Sequence, residues 1–204
     1  MPQPEKYAIA DLHLNHENSI QLCSRPFINK EEMDAVILEG INKTVQPRDT
    51  LYLLGDNFFS NEKETGRNYL ETAKFYRKQI KCRNVHLVRG NHDKKSADYL
   101  FSSSQDFLKI KDNHQKYIMC HRPFLCWDSS HSGSYHIHGH THAGINWYVE
   151  RFLKECRLLD VGVDNIYLLK GEFRPLHFSE IDEILSKRLG FCPDIKDTHH
   201  LLSV

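Results

Sequence analysis

Residues 84–93, NVHLVRGNHD, begin as an apolar run and end on polar positions. Val85, Leu87 and Val88 mark a strand of ordinary length. Gly90 then stops the run and delivers Asn91, His92 and Asp93 beyond its carboxyl end. Turn chemistry accounts for the glycine, the asparagine and the final aspartate, but not for the histidine between them. Whether that histidine matters depends on how the other strands of the chain end.

They end in the same way. YAIADLH stops on Asp11 and His13, YLLGDN on Gly55, Asp56 and Asn57, YIMCH on His121, and YHIHGHTH on His140 and His142. An aspartate after one strand is ordinarily a turn residue, and one histidine is ordinarily packed or solvated. Five strands that each deliver Asp, Asn or His to the same end are a different matter. Open α/β sheets hold ligands outside the carboxyl ends of their strands, so these side chains can converge.

The intervening segments fit that architecture. INKEEMDAVILEGINKTV reads as a helix capped by Asn29, with Glu32 three residues on and Met33, Val36, Ile37 and Ile41 on one face. Residues 62–81 carry Tyr69, Ala73, Tyr76 and Ile80 at helical spacing. FLKIKDNHQKYIMCH reads as a hairpin turning near Asp112 and Asn113. SYHIH and RLLDVGVD add strands, and SEIDEILSKRL reads as a helix capped at Ser179. Strand–helix–strand units followed by consecutive strands predict an α/β fold with a mixed sheet and helices outside it. Residues 1–204 are read as one domain, long enough to bury roughly 70% of the unfolded surface.

Composition narrows the partners. Lys+Arg and Asp+Glu are both 27, and a zero formal charge argues against a protein held on duplex nucleic acid by charge alone. Every apolar run is too short to span a bilayer, and MPQPEKYAIAD is no signal peptide, so no membrane partner is expected. Six cysteines without a C-x-x-C pair read as reduced thiols of a cytoplasmic protein.

The strand ends themselves call for metal. Two carboxylates, one amide and several imidazoles form an N/O donor set suited to Mn, Fe, Zn, Co or Ni. One ion cannot use so many donors, whereas two ions sharing a carboxylate can. Two divalent ions beside Asp11 and Asp56 leave net positive charge, which suits a phosphate group and lowers the pKa of a bound water.

Taken in order, Asp11-Leu12-His13, Gly55-Asp56, Gly90-Asn91-His92-Asp93, His121 and Gly139-His140-Thr141-His142 resemble the motif set of the calcineurin-like metallophosphoesterase superfamily. LNHEN, RPF at 25, HRPF at 122 and VGVD at 161 resemble a subgroup of small bacterial and phage phosphoesterases. The resemblance implies a four-layer αββα sandwich with mixed sheets and a dinuclear metal site at the strand ends. It implies a first ion on Asp11, His13, Asp56 and His142, and a second on Asp56, Asn91, His121 and His140. Manganese is the favoured metal. His92 would protonate the leaving group, Asp93 would orient or tune it, and a metal-bridging hydroxide would attack phosphorus in line.

The opening alternation of YHIHGHTH is then divided. Gly139 interrupts the strand, so His136 and His138 stay in its body and read as structural, with His138 able to support a ligand from behind.

The substrate is a phosphate ester, with a nucleotide among the candidates. Members acting on phosphoproteins carry G-D-x-x-D-R, whose arginine grips phosphate bidentately. Here Gly55-Asp56-Asn57-Phe58-Phe59-Ser60 lacks both the second aspartate and the arginine, and Gly-Asn-His-Asp leans toward phosphodiesters. His16, Asn18, Arg122 and His131 are candidate substrate contacts. Arg25 and Arg89 could hold phosphate, Arg89 having a carboxylate partner as its alternative. Trp127 could stack on a base, although a packed Trp127 is the simpler reading. A phosphomonoesterase or nuclease is the rival within the enzyme class. A non-catalytic metal-binding interaction scaffold is the rival outside it, disfavoured because His92 and every ligand position are filled.

Overall fold

Parallel strands set the direction of everything that follows. The computed structural model describes residues 3–60 and 62–190. In chain order its elements are β1 (Lys6–Ile9), α1 (Glu17–Leu22), α2 (Lys30–Thr44), β2 (Thr50–Leu53), α3 (Glu62–Thr65), α4 (Tyr69–Arg77), β3 (Asn84–Val88), β4 (Ser103–Gln105) and β5 (Phe107–Asp112). There follow β6 (Gln115–Cys120), β7 (Tyr135–His138), α5 (Asn146–Phe152), β8 (Leu158–Asp160), α6 (Val163–Lys170), β9 (Leu176–His177) and α7 (Phe178–Leu185).

One sheet runs β4-β3-β2-β1-β9, the other β5-β6-β7-β8. β1, β2, β3 and β4 are parallel, because each crossover returns the chain to the same end of the strands, and β9 is antiparallel to β1. In the second sheet β6, β7 and β8 are parallel and only the β5–β6 hairpin is antiparallel. Both sheets are mixed, and this is the α/β sandwich expected from the resemblance.

Strand periodicity decides which side chains meet. Ala8, Leu51 and Leu87 of the first sheet share a large core with Tyr117, Met119, Tyr135, Ile137 and Leu159 of the second. The alternate residues Ile118 and Leu158 face outward, where Val149 and Leu153 of α5 join Trp127 to cover them. At one edge the two sheets are joined by backbone: Ala10 N–H donates to Val161 C=O at 2.9 Å, and Val163 N–H to Ala10 C=O at 2.9 Å. At the opposite edge they part around a cleft of about 590 Å³ lined by Glu5, Lys6, Asp112, Gln115 and Tyr117. There the Lys6–Asp112 ion pair reaches across.

Several boundaries differ from the sequence reading. Residues 62–81 form two helices, because Asn68 caps α4 reciprocally with Glu71 and starts a new helix there. Ile80 is buried but lies past its end. In α2 Asn29 accepts from Glu32 N–H, yet the Glu32 carboxylate takes Ile28 N–H instead of completing the box. Val36 is exposed, and Leu38 is buried with Met33, Ile37 and Ile41. The hairpin turns one residue later, on Asn113 and His114, both left-handed as a two-residue loop requires. α7 is capped by His177, whose ring accepts Ser179 N–H while Glu180 takes His177 N–H. Among the described residues, no helix is long and apolar enough to cross a membrane.

Candidate metal centre

The loops after the strands are built from unusual backbone. Asp11, His13 and Asn15 after β1, Asp56 after β2, and His140, His142 and Ala143 after β7 all have positive φ, between 47° and 72°. Each such residue costs about 1–3 kcal/mol, and such residues persist where surrounding structure overdetermines them. That support is visible as stitching between loops. Asp11 N–H donates to Gly55 C=O, His13 N–H to Asp56 C=O and Leu14 N–H to Asn57 C=O, each at 3.0 Å. His140 N–H donates to Asp11 Oδ2 at 2.8 Å, and His92 N–H to Asp56 Oδ1 at 2.9 Å. Gly90 is required by space: a Cβ there would lie 2.2 Å from Asp56 Oδ1.

Among the described residues three groups of donor atoms result, one of which, Cys23, His142 and Asp164, shares His142 with the first of the other two. Asp11, His13 and His142 each offer an atom within 4.8 Å of the others, and so do Asp56, His121 and His140. Asn91 joins the second group, with Oδ1 3.2 Å from His121 Nε2. Asp56 Oδ2 also lies 3.2 Å from that nitrogen. Asp11 Oδ1 and His13 Nε2 are buried without a hydrogen-bond partner. Buried polar atoms are normally paired, so these two orphans fit a cation between them.

The charges point the same way. Burial, reinforced by Asp160, pushes the Asp11 carboxyl up to about 8. A carboxyl so reluctant to ionise is one that a cation would stabilise. Burial acts against the Asp56 carboxylate too, but the hydrogen bond and charge of His121 outweigh it and hold it at about 2. Burial, then the charge of His142, brings His13 down to about 3, and burial also lowers His140. Both rings are thus held in the neutral form that ligation needs. His121 and His142 are the exceptions: burial would lower both, but the hydrogen bond to Asp56 raises His121 and the Asp164 carboxylate raises His142 to about 10.

A family profile for calcineurin-like phosphoesterases matches residues 7–202. The chain belongs to that family. It is accordingly a phosphoester hydrolase. An uncharacterised protein of Methanocaldococcus jannaschii is 36% identical over 142 residues, covering 67% of this chain and 69% of its own. The crystal structure of a protein of unknown function from Aquifex aeolicus shares the fold, with a TM-score of 0.63 and 22% identity over 89% of this chain and 99% of its own.

Against this phosphoesterase frame the remaining predicted residues sort clearly. His92 stands at the rim, 42% exposed, with Nε2 3.9 Å from Asp56 Oδ2 and its ring 5.6 Å from that of His13. The hydrogen bonds of Asp93 go to groups other than the His92 ring. Asp93 Oδ2 accepts from Gly90 N–H and Asp56 N–H at 2.9 Å, and its Oδ1 from Tyr69 O–H at 3.0 Å, so it anchors the β2 and β3 loops. His16 reaches the site, with Nδ1 3.4 Å from His13 Nδ1 and its ring stacked on Phe59 at 3.8 Å. Asn18 is exposed on α1 and Arg122 is exposed beside His121.

His131 is misplaced by the sequence reading. It lies in the turn before β7, at the amino end of a strand whose carboxyl end carries the site. Arg25 cannot hold phosphate, because its side chain is buried and paired with Asp164. Arg89 pairs with Asp98 and Asp106. Trp127 is packed, donating its indole N–H to Ser134. Sequence reasoning overlooked Asp160 and Asp164, although LLDVGVD ends a strand on a ligand-type residue as the other five do.

Proposed function

We propose that this phosphoesterase hydrolyses a phosphodiester at a two-cation centre, acting as a single cytoplasmic domain. The first cation is assigned to Asp11, His13, Asp56 and His142, the second to Asp56, Asn91, His121 and His140, with manganese the favoured metal. The observation that carries this reading is the pair of unpartnered buried atoms, Asp11 Oδ1 and His13 Nε2, beside a second group of donors around Asp56. Cations bound there would supply Lewis acidity toward phosphate oxygens and lower the pKa of the attacking water.

The Asp56 carboxylate would be held ionised at the centre by the cations it is assigned to. The chain's own residues do the rest. The His92 ring stands at the open rim, placed by its backbone bond to Asp56, where it can donate a proton to a leaving oxygen. His16 and Phe59, stacked next to His13 and His92, form one wall of the approach. Phe59 and Ser60 follow Asn57 and Phe58 where phosphoprotein-directed relatives of the motif would carry Asp and Arg, which favours a diester with less charge to grip.

The test is direct. Chelated protein reconstituted with Mn²⁺ should hold about two ions per chain and hydrolyse bis-p-nitrophenyl phosphate. Full activity after exhaustive chelation would sink the two-cation reading. Efficient dephosphorylation of phosphopeptides without any diester turnover would reverse the substrate class.

A further inference from the structure

His142 is held from both sides by one short segment, Asp160-Val161-Gly162-Val163-Asp164. Asp164 Oδ2 lies 2.6 Å from His142 Nδ1. A carboxylate only accepts, so Nδ1 carries the proton and Nε2 is the nitrogen left to face Asp11 and His13. Asp160 grips the backbone around the same residue: its Oδ2 accepts from Thr141 Oγ1 at 2.6 Å and from Ala143 N–H at 3.1 Å. Its Oδ1 accepts from Gly162 N–H at 2.6 Å, which fixes the carboxylate in turn.

Asp164 is itself locked. Arg25 Nε donates to its Oδ1 at 2.7 Å and Nη2 to its Oδ2 at 2.9 Å. The same guanidinium donates through Nη1 to Leu12 C=O at 2.9 Å and through Nη2 to Asp11 C=O at 2.7 Å. The Arg25 side chain is fully buried, and that of Asp164 is 8% exposed. One ion pair therefore ties the loop bearing Asp11 and His13 to the segment that aims His142. Among the described residues the second cluster has no ion pair of this kind: there His121 Nδ1 bonds the neutral carbonyl of Leu54 at 2.8 Å, and the carboxylate oxygen Asp11 Oδ1 stands 3.9 Å away.

We propose that Arg25, Asp164 and Asp160 are positioning residues that set the occupancy of the first cation site selectively, by fixing the ring of His142 and the backbone on either side of it. Asp164 aims the ring and makes its nitrogen a better donor, Arg25 holds Asp164 to the Asp11 loop, and Asp160 holds the left-handed turn that brings His142 round. This inference rests on the two-cation reading above.

The experiment titrates chelated wild-type, Asp164→Asn and Thr141→Val proteins with Mn²⁺ alone, counting free ion by electron paramagnetic resonance and following each fold by circular dichroism. Asp164→Asn keeps an oxygen that can accept from Nδ1 but breaks the paired contact with Arg25. One binding step should weaken by about 10–100-fold while the other is unchanged. Thr141→Val removes a single hydroxyl from the clamp and should weaken the same step by less. Two steps identical to wild type in the folded Asp164→Asn protein would overturn the proposal, as would equal weakening of both. If Asp164→Asn does not fold, Thr141→Val decides alone: selective weakening supports the clamp, and unchanged binding refutes it. Wild-type protein that binds no Mn²⁺ would instead refute the two-cation reading itself.

Discussion

His136 and His138 differ from His140 and His142 in almost nothing that composition records, yet they live in different worlds. His136 is fully buried in β7, with Nδ1 3.0 Å from Ile118 C=O and Nε2 accepting Phe124 N–H at 2.9 Å. That N–H must donate, so the proton sits on Nδ1 and both nitrogens are spent on backbone. His138 is buried beside it, with Nδ1 2.8 Å from Gly139 C=O. Two and four residues on, the chain has left the strand. His140 and His142 adopt φ of 72° and 47° and turn their rings toward Asp56 and Asp11. The lesson is that the residue type does not assign the role. The position where the ladder stops does, and Gly139 marks it, since a Cβ there would lie 2.6 Å from Asp11 Oδ2.

The sharpest way to break this comparison is to remove the rings one at a time. His140→Ala and His142→Ala should each lose one Mn²⁺ per chain and bring diester turnover toward the uncatalysed level, measured by elemental analysis and initial rates. Equal ion loss in His136→Ala would erase the distinction.

Next in size is His92, which belongs to the site without belonging to either cluster. His92→Ala should retain both ions and lose about 10²–10⁴-fold in kcat/KM on diesters with alkoxide leaving groups. The loss on p-nitrophenyl esters should be distinctly smaller, because that leaving group needs little protonation. A uniform loss along a series of graded leaving groups, with ions intact, would remove the proton-donor role.

His136→Ala should show the inverse profile, with ion content and most turnover kept and stability reduced by about 2–4 kcal/mol in urea unfolding. It leaves a cavity and strands both Phe124 N–H and Ile118 C=O. Unchanged stability would mean that the buried ring contributes no net packing.

The gentlest effect per measured step is a slope. Burial, aided by the neighbouring His138, brings His136 down to about 3, against 6.5 for the free side chain. Between those values the unfolded chain binds the proton and the folded one does not, so stability is complete above about pH 6.5 and falls as the pH drops toward 3. Its share of the slope is at most about 1.4 kcal/mol per pH unit. His136→Phe should flatten the curve in that window, and a curve parallel to wild type would show that other groups set it.

Much of the fold and the donor set was legible because both depend on local pattern. Apolar runs of strand length mark β1, β2 and β3 directly, and a ligand-type residue after each is visible without coordinates. What was not legible depends on direction or on distant pairing. His131 is a misreading of direction: it precedes β7 in the chain and so lies at its amino end, away from the loops that carry the site. Asp93 looks like a partner for its neighbour His92, yet its oxygens go to the backbone of Gly90 and Asp56. Arg25 reads as an available phosphate ligand until Asp164, 139 residues away, claims it. The break between α3 and α4 is a different case, since Asn68 and Glu71 spell a capping box that helical spacing alone passes over.

The two sheets are joined by Ala10 at the edge that carries the loops and parted by a cleft at the other. The sandwich is thus bound like a book, with the reacting groups along the spine. A small rotation of one sheet against the other moves the fore-edge in proportion to the strand length and the spine hardly at all. Thermal breathing, or an insertion in the Asn113–His114 turn, is therefore spent where nothing catalytic stands. The spacing between Asp11 after a strand of one sheet and His142 after a strand of the other is kept by its nearness to that joint, without any need for a stiffer core.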